Sequence, residues 1–222
     1  MSIQAVIFDL DGVIVSTDEF HYQAWRTLAD KLGIPFSRED NERLRGVSRM
    51  ESLEIVLEKW SGAPFSAEEK QHMAEQKNGI YRNSLSRLSH ADILPGVEAM
   101  LQGLRQRGVS TAIGSSSKNA AAILTAISLD GCFDVVVDGT HIVNSKPHPE
   151  VFLLAAERLG IPPEHCLVVE DADAGIEAAI AAGMRVLGLG PAAEHPSASL
   201  RAANLTMLSA DGLLDAVEPA IH

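Results

Sequence analysis

The stretch FDLDG, residues 8–12, sets Asp9 and Asp11 one leucine apart at the end of the apolar run Ala5 to Phe8. Two carboxylates at the mouth of a buried strand repel each other and are costly to desolvate, so their placement calls for a cation or a reaction. Other chemistry-bearing residues follow other apolar runs. Ser115, Ser116 and Ser117 come after VSTAIG and precede Lys118 and Asn119. Lys146 lies in NSKPHPE, and Glu170 and Asp171 follow CLVV. Each piece alone has a plainer reading. A DxD pair can close a turn, serines before a helix are caps, a lysine before proline is a solvated loop residue, and Glu-Asp can be another cap. Together they read as phosphoryl-transfer equipment. Four acids on one edge need a divalent cation, and hard oxygen ligands point to Mg²⁺. A serine, a helix N-terminus and a lysine make a seat for a phosphoryl group. An aspartate of ordinary pKa, ~3.9, is ionised at neutral pH and needs only a cation to attack an anionic phosphate. Asp9 is the candidate nucleophile. Asp11, kept partly protonated by its anionic neighbour, is the candidate general acid and base.

These residues must be carried by a sheet. From residue 91 onward short apolar runs (109–113, 135–137, 166–169, 185–189) alternate with helix-period stretches at 97–107, 119–129, 149–159 and 173–182. With QAVIFD as the first strand, this βα alternation predicts an α/β fold: a doubly wound, mostly parallel, Rossmann-like sheet. Gly108, Gly131, Gly160 and Gly183 fall at the expected turns. The carboxyl ends of such strands share one edge, where ligands bind. Residues 17–88 break the rhythm. Phe20, Ala24, Leu28 and Leu32 share one helical face, as do Met50, Leu53, Leu57 and Trp60, and then Met73, Ile80, Leu85 and Leu88. The expectation is an inserted all-helical cap domain at 17–88 on a core formed by 1–16 and 89–222.

Charge agrees with two bodies. Residues 17–88 hold 12 acidic and 11 basic side chains, and the remainder 18 and 7, so most cations lie in the insert. The formal net charge of −12 argues against nucleic acid and anionic membranes as partners. No basic-then-apolar leader precedes the first strand, and no apolar run reaches the ~18–20 residues of a membrane span. Cys132 and Cys166 read as reduced, buried thiols. A cytoplasmic monomer is the expectation.

The segments DLDGVIVST, GSSSKN, NSKP and VVEDADAGIEAAIAAGM resemble, in order and spacing, the four motifs of the haloacid dehalogenase superfamily of phosphotransferases. The insert resembles that superfamily's helical cap. Within it TDEFHYQAW, LRGVSRMES and AEQKNGIY resemble the cap of the β-phosphoglucomutase family. The resemblance implies interconversion of β-glucose 1-phosphate and glucose 6-phosphate through a phospho-aspartyl enzyme and a β-glucose 1,6-bisphosphate intermediate, with Mg²⁺. It implies Asp9 as nucleophile and metal ligand, with Asp11 as acid/base giving its carbonyl to the metal. Asp171, with Glu170 beside it, would complete the metal shell. Ser115 and Lys146 would hold the transferring phosphoryl group. Thr17 and His21 would sit at the hinge, His21 aligning Asp11. Gly46, Val47, Ser48 and Arg49 would line the substrate, Arg49 gripping the phosphate not being transferred. Ser117, Lys118 and Asn119 would grip it from the core side, and Ser52 and Lys77 would complete the cap wall. Trp25 is a further candidate contact, although it and Trp60 read first as cap core. Arg49 and Lys77 taken alone would be exposed helix charges.

Two positions depart from the family pattern: Ser16 stands where an aspartate is familiar, and Arg45 where a lysine is. A phosphatase of the same fold, acting on a sugar phosphate or another small phosphomonoester, is the alternative, since both chemistries share the aspartyl phosphate. A non-catalytic relative is disfavoured by intact Asp9, Asp11, Lys146 and Asp171.

Overall fold

The computed structural model describes residues 2–217. Six strands form one sheet in the order β3-β2-β1-β4-β5-β6, every pairing parallel. They are β1 (Ala5–Phe8), β2 (Ser110–Gly114), β3 (Val135–Val137), β4 (Cys166–Glu170), β5 (Arg185–Leu189) and β6 (Leu200–Ala202). The first five match the apolar runs. The sixth has no such run: Leu200 and Ala202 are half-buried and Arg201 is exposed, so the edge strand carries no hydrophobic signal.

Side chains alternate across the sheet with the two-residue period of a strand. Val6, Phe8, Ile113, Leu167, Val169 and Leu187 pack on one face against α5 (Val97–Gln106), α6 (Ala120–Ala126) and Leu213 of α9 (Ala210–Val217). Ala5, Ile7, Ala112, Val168 and Val186 face α7 (Glu150–Leu159) and α8 (Asp173–Ala181). The chain runs outward from β1 in both directions, leaving a crevice between the carboxyl ends of β1 and β4. Such a crevice is where an open α/β sheet binds ligands.

Between β1 and α5 lie α1 (Asp18–Leu32), α2 (Arg38–Glu42), α3 (Arg49–Leu57) and α4 (Ala67–Leu85), and no strand. They have a core of their own around Trp25, Leu28, Leu53, Val56 and Met73. Capping boxes at Ser37/Asp40, Ser48/Glu51 and Ser66/Glu69 start α2, α3 and α4 by satisfying orphan amides. Two expected face positions differ. Met50 is exposed, and Trp60 lies beyond the end of α3, its indole N–H donating to Ala63 O. Ala24, Tyr81, Leu85 and Leu88 join the core on one side of the sheet, so the helices are anchored to it. Where the chain enters and leaves this helical region, Val15 and Ile93 form a bridge and Leu94 N–H donates to Ile14 O.

Of the two cysteines, Cys166 is buried, as expected, whereas Cys132 is only partly so. Among the described residues no helix is long and apolar enough to cross a membrane.

Candidate active site

The ladder hydrogen bond from Asp9 N–H to Val169 O carries β1's register one residue past its end and sets the Asp9 side chain beside β4's terminus. At that terminus come Glu170 and Asp171. One carboxylate oxygen each of Asp9, Glu170 and Asp171 lies within 4.8 Å of the others. Three hard oxygen donors in that space suit Mg²⁺. Burial is the largest force on Glu170 and pushes it up to about 7, with Lys146 pulling it down and Asp9 raising it further. Burial, then Glu170, Asp9 and Asp11, push Asp171 up to about 9. A bound cation would relieve that crowding.

Lys146 reaches this cluster from the loop before α7. Its Nζ donates to Asp9 Oδ1 and to Glu170 Oε1, each at 2.5 Å, and it is 1% exposed. Burial alone would lower its pKa, but Asp9 and Glu170 outweigh it and hold it above the usual lysine range. Glu170 Oε2 accepts the amides of Asp171 and Ala172. With both oxygens engaged, Glu170 serves Lys146 and its own loop, which leaves Asp9 and Asp171 as the more open donors. Gly12 makes the approach of Asp171 possible. It turns with φ +91°, and a Cβ there would come within 1.9 Å of Asp171 Oδ2.

The Asp11 side chain lies outside that three-carboxylate cluster. Its Oδ1 accepts Thr17 N–H at 2.6 Å and its Oδ2 accepts Thr17 Oγ1–H at 2.5 Å. Thr17 begins α1 yet makes no side-chain cap, its hydroxyl being committed to Asp11. Tyr81 O–H donates to Thr17 Oγ1 from α4 at 3.0 Å. Burial pushes Asp11 up to about 6 against the two bonds from Thr17. His21 Nε2 lies 3.8 Å from Asp11 Oδ2, and its ring rests on Tyr81 with centroids 4.1 Å apart. His21 Nδ1 meets Lys77 Nζ at 2.7 Å. Burial, then the charges of Lys77 and Arg49, hold His21 well below the usual histidine range.

Ser115 N–H donates to Val137 O just past the end of β2, which fixes this buried serine in the wall of the cleft that the acids also line. Its Oγ accepts Ser117 N–H at 3.1 Å, and Ser117 Oγ accepts Asn119 N–H at 3.2 Å. The serine run therefore does shape the turn into α6, as the plain reading had it, while still facing the cleft. That cleft, about 940 Å³, is lined by every candidate site residue picked out from the sequence except Thr17, which lies behind Asp11. Arg49 opens α3, where a cation opposes the helix dipole. It is half-buried rather than a solvated charge, and burial lowers its pKa. Lys77 is 2% exposed, over the rings of Trp25 and Tyr81 at 4.7 and 4.9 Å. Trp25 is 1% exposed, and what it presents to the cleft is a floor for Lys77. Ser48 spends its hydroxyl on Glu51 N–H. Ser52 is buried, Gly46 and Val47 are half-buried, and Lys118 is exposed at the core rim.

Two residues escaped the sequence reading, and a third, Arg45, was singled out there only as a departure from the family pattern. Asn78 Oδ1 accepts from Asn119 Nδ2 at 3.1 Å, joining the helical region to the core across the cleft. Tyr81 closes the chain of bonds to Asp11 through Thr17. Arg45 lies 3.8 Å from Asp171. Asn78 and Tyr81 share the turns of α4 with Lys77, and that adjacency was the one available signal.

A parallel sheet in this order, with a carboxylate pair after the first strand, a serine after the second, a buried lysine and an acidic pair after the fourth, defines a phosphoryl-transfer fold. A family model for haloacid dehalogenase-like hydrolases matches residues 3–183, and the chain belongs to that family. It is 43% identical over 190 residues to the β-phosphoglucomutase of Bacillus subtilis, covering 85% of this chain and 84% of the relative. It is also 30% identical over 222 residues to a phosphorylated carbohydrates phosphatase of Thermotoga maritima, covering 99% of this chain and 100% of that one. A crystal structure of β-phosphoglucomutase from Clostridium difficile superposes with a TM-score of 0.91 at 40% identity, covering 96% of each chain.

Proposed function

We propose that this protein is a β-phosphoglucomutase, converting β-glucose 1-phosphate to glucose 6-phosphate through β-glucose 1,6-bisphosphate, with residues 17–88 acting as the cap of a core formed by 1–16 and 89–222. The observation that supports the reading is that one cleft is lined both by the acids, Ser115 and Lys146 and by the cationic side chains Arg49 and Lys77 from the helices and Lys118 from the core. A mutase must hold two phosphates at once, whereas a phosphatase for small substrates needs one.

Mg²⁺ held by Asp9, Asp171 and the Asp11 carbonyl, with Glu170 behind them, would supply charge neutralisation at the transferring phosphoryl group. The chain's own groups do the rest. With Asp9 phosphorylated, its phosphoryl group passes to the C6 oxygen of β-glucose 1-phosphate. Asp11 takes the hydroxyl proton, and the bisphosphate forms. After the bisphosphate turns round, an Asp9 oxygen bonds to the phosphorus at C1. The bond to the C1 oxygen breaks, Asp11 returns the proton to that oxygen, and glucose 6-phosphate leaves a phosphorylated Asp9. Thr17 holds Asp11 in reach through both exchanges. Lys146 and Ser115 orient the moving phosphoryl group, and Arg49 holds the distal one with its planar fork.

The phosphatases among the relatives make hydrolysis the competing outcome, and one experiment separates them. Phosphorus NMR of the pure protein with Mg²⁺ and β-glucose 1-phosphate is expected to show glucose 6-phosphate accumulating ahead of inorganic phosphate. Arg49→Ala should lower mutase turnover by at least ~10²-fold, since a charge partner of the distal phosphate is lost. Slow phosphate release should persist, because closure against water weakens while the core is untouched. Phosphate as the dominant wild-type product, or an unchanged product ratio in Arg49→Ala, would refute the mutase reading.

A further inference from the structure

The loop between α2 and α3 touches the β4 end of the core. Gly46, at φ +74°, brings its backbone so close that a Cβ would stand 3.2 Å from Ala172 Cβ and 3.5 Å from Ala174 Cβ. Arg45 beside it sends Nη1 to within 3.8 Å of Asp171 Oδ2. The same guanidinium is steered by two other acids. Nη2 is 3.3 Å from Asp18 Oδ2, and Nε is 3.1 Å from Glu42 Oε2 without hydrogen-bond geometry.

Charge bookkeeping around Asp171 makes the contact informative. Asp9, Asp11 and Glu170 all face it, and all are acidic. Lys146 lies against Asp9 and Glu170 and spends its Nζ on them. Among the described residues Arg45 is the cation within ion-pair distance of Asp171. It comes from a loop that belongs to the other half of the cleft.

We infer that Arg45 is a positioning residue that acts through Asp171, its fixed positive charge lying beside the oxygen that Mg²⁺ would use and so opposing Mg²⁺ there. The inference rests on the Mg²⁺ reading of the preceding section. The physics sets its direction. A fixed positive charge near a ligand oxygen repels a divalent cation, and its removal frees the oxygen and leaves Asp18 and Glu42 adding negative potential. Linkage makes the effect reciprocal: occupancy of the metal seat weakens the hold of Arg45 on Asp171 and loosens this loop on the core. A lysine could keep the charge but not Arg45's three-way grip on Asp18, Glu42 and Asp171.

The test is calorimetric titration of Mg²⁺ alone into the full chain, with no substrate and no turnover. Arg45→Gln is expected to bind Mg²⁺ roughly tenfold more tightly than wild type. Arg45→Lys should stay within about threefold of wild type, since it keeps the charge. Arg43→Gln removes an equal charge from a neighbour that pairs with Glu58, and should likewise leave affinity within about threefold. Arg45→Ala replaces Arg45→Gln if the glutamine variant fails to fold. Equal affinity in Arg45→Gln and wild type would overturn the inference while leaving the metal site standing. Equal tightening in Arg43→Gln would overturn it in favour of net charge. Failure of the wild type to bind Mg²⁺ would instead remove the metal reading, and this inference with it.

Discussion

At Lys77, function and stability pull in opposite directions. The ammonium is 2% exposed and faces His21 and two aromatic rings; among the described residues no carboxylate lies within ion-pair distance of it, and Asp11 acts on it only from farther off. Burial, then the charge of Arg49, hold its pKa well below the usual lysine range. The sign follows from proton counting. Between the folded pKa and the unfolded value near ~10.4, the unfolded chain carries a proton that the folded chain has lost, so stability rises with pH. Lys77→Met should therefore stabilise the protein at pH 7, by ~1–4 kcal/mol if it behaves like other replacements of buried charge by apolar groups. The gap to wild type should narrow at pH 9. Denaturant midpoints of both proteins at the two pH values check this, and a gap that stays constant would show that Lys77 keeps an ordinary pKa. The same variant should lose turnover, the usual trade at a strained site.

The loops that place side chains in the cleft tolerate little change. The turn at Gly12 and the loop at Gly46 both use left-handed backbone, and each lies against the loop following β4. At Gly46 a β-branched side chain would meet both penalties together: a positive φ, and contact with Ala172 and Ala174. Gly46→Val should fold with a loss of ~1–3 kcal/mol from backbone strain. By lifting the α2–α3 loop off the core, it should cut glucose 6-phosphate formation at least ~10²-fold, as a 1 Å misplacement can. A thermal melt with the NMR assay separates the two effects. Wild-type turnover in a folded Gly46→Val would mean that the loop does not seat on Ala172 during the reaction.

Over the whole molecule, charge and burial are unevenly shared. The core carries nearly all the net negative charge, yet the proposed substrate is an anion. The second phosphate seat proposed for it would therefore draw largely on the helical region, where most of the cations lie. Burial also separates the two thiols, 34 residues apart in the chain. Cys166 is buried and its thiol is pushed up to about 11, chiefly by burial, while Cys132 is partly open. The thiolate is the reactive form, so iodoacetamide at pH 8 should label Cys132 in the native protein and Cys166 only after unfolding. Peptide mass spectrometry over time reads the two rates. Equal labelling of both in the folded protein would contradict the buried position of Cys166.

Five of the six strands, the α/β alternation and the acidic and cationic residues at strand ends were legible from the chain alone. Each is a local signal. A buried parallel strand is a short apolar run, a turn carries its glycine, and Gly108, Gly131, Gly160 and Gly183 do adopt positive φ. The four motifs also have an order and spacing that a linear chain displays directly. The edge strand at 200–202 was invisible because half-exposed residues need no apolar run. The sheet order was invisible too, because pairing is a contact between distant segments. The same holds for the helical side of the cleft. Lys77 and Arg49 looked like ordinary helix charges, because periodicity says which helix face is apolar and nothing about what descends on a polar one. The meeting of Lys77 with His21, 56 residues away, of Asn78 with Asn119, and of Arg45 with Asp171 was decided by how the helices close over the β1 and β4 ends. Only packing sets the distance and dielectric between such groups, and these fix their charge and what they can hold.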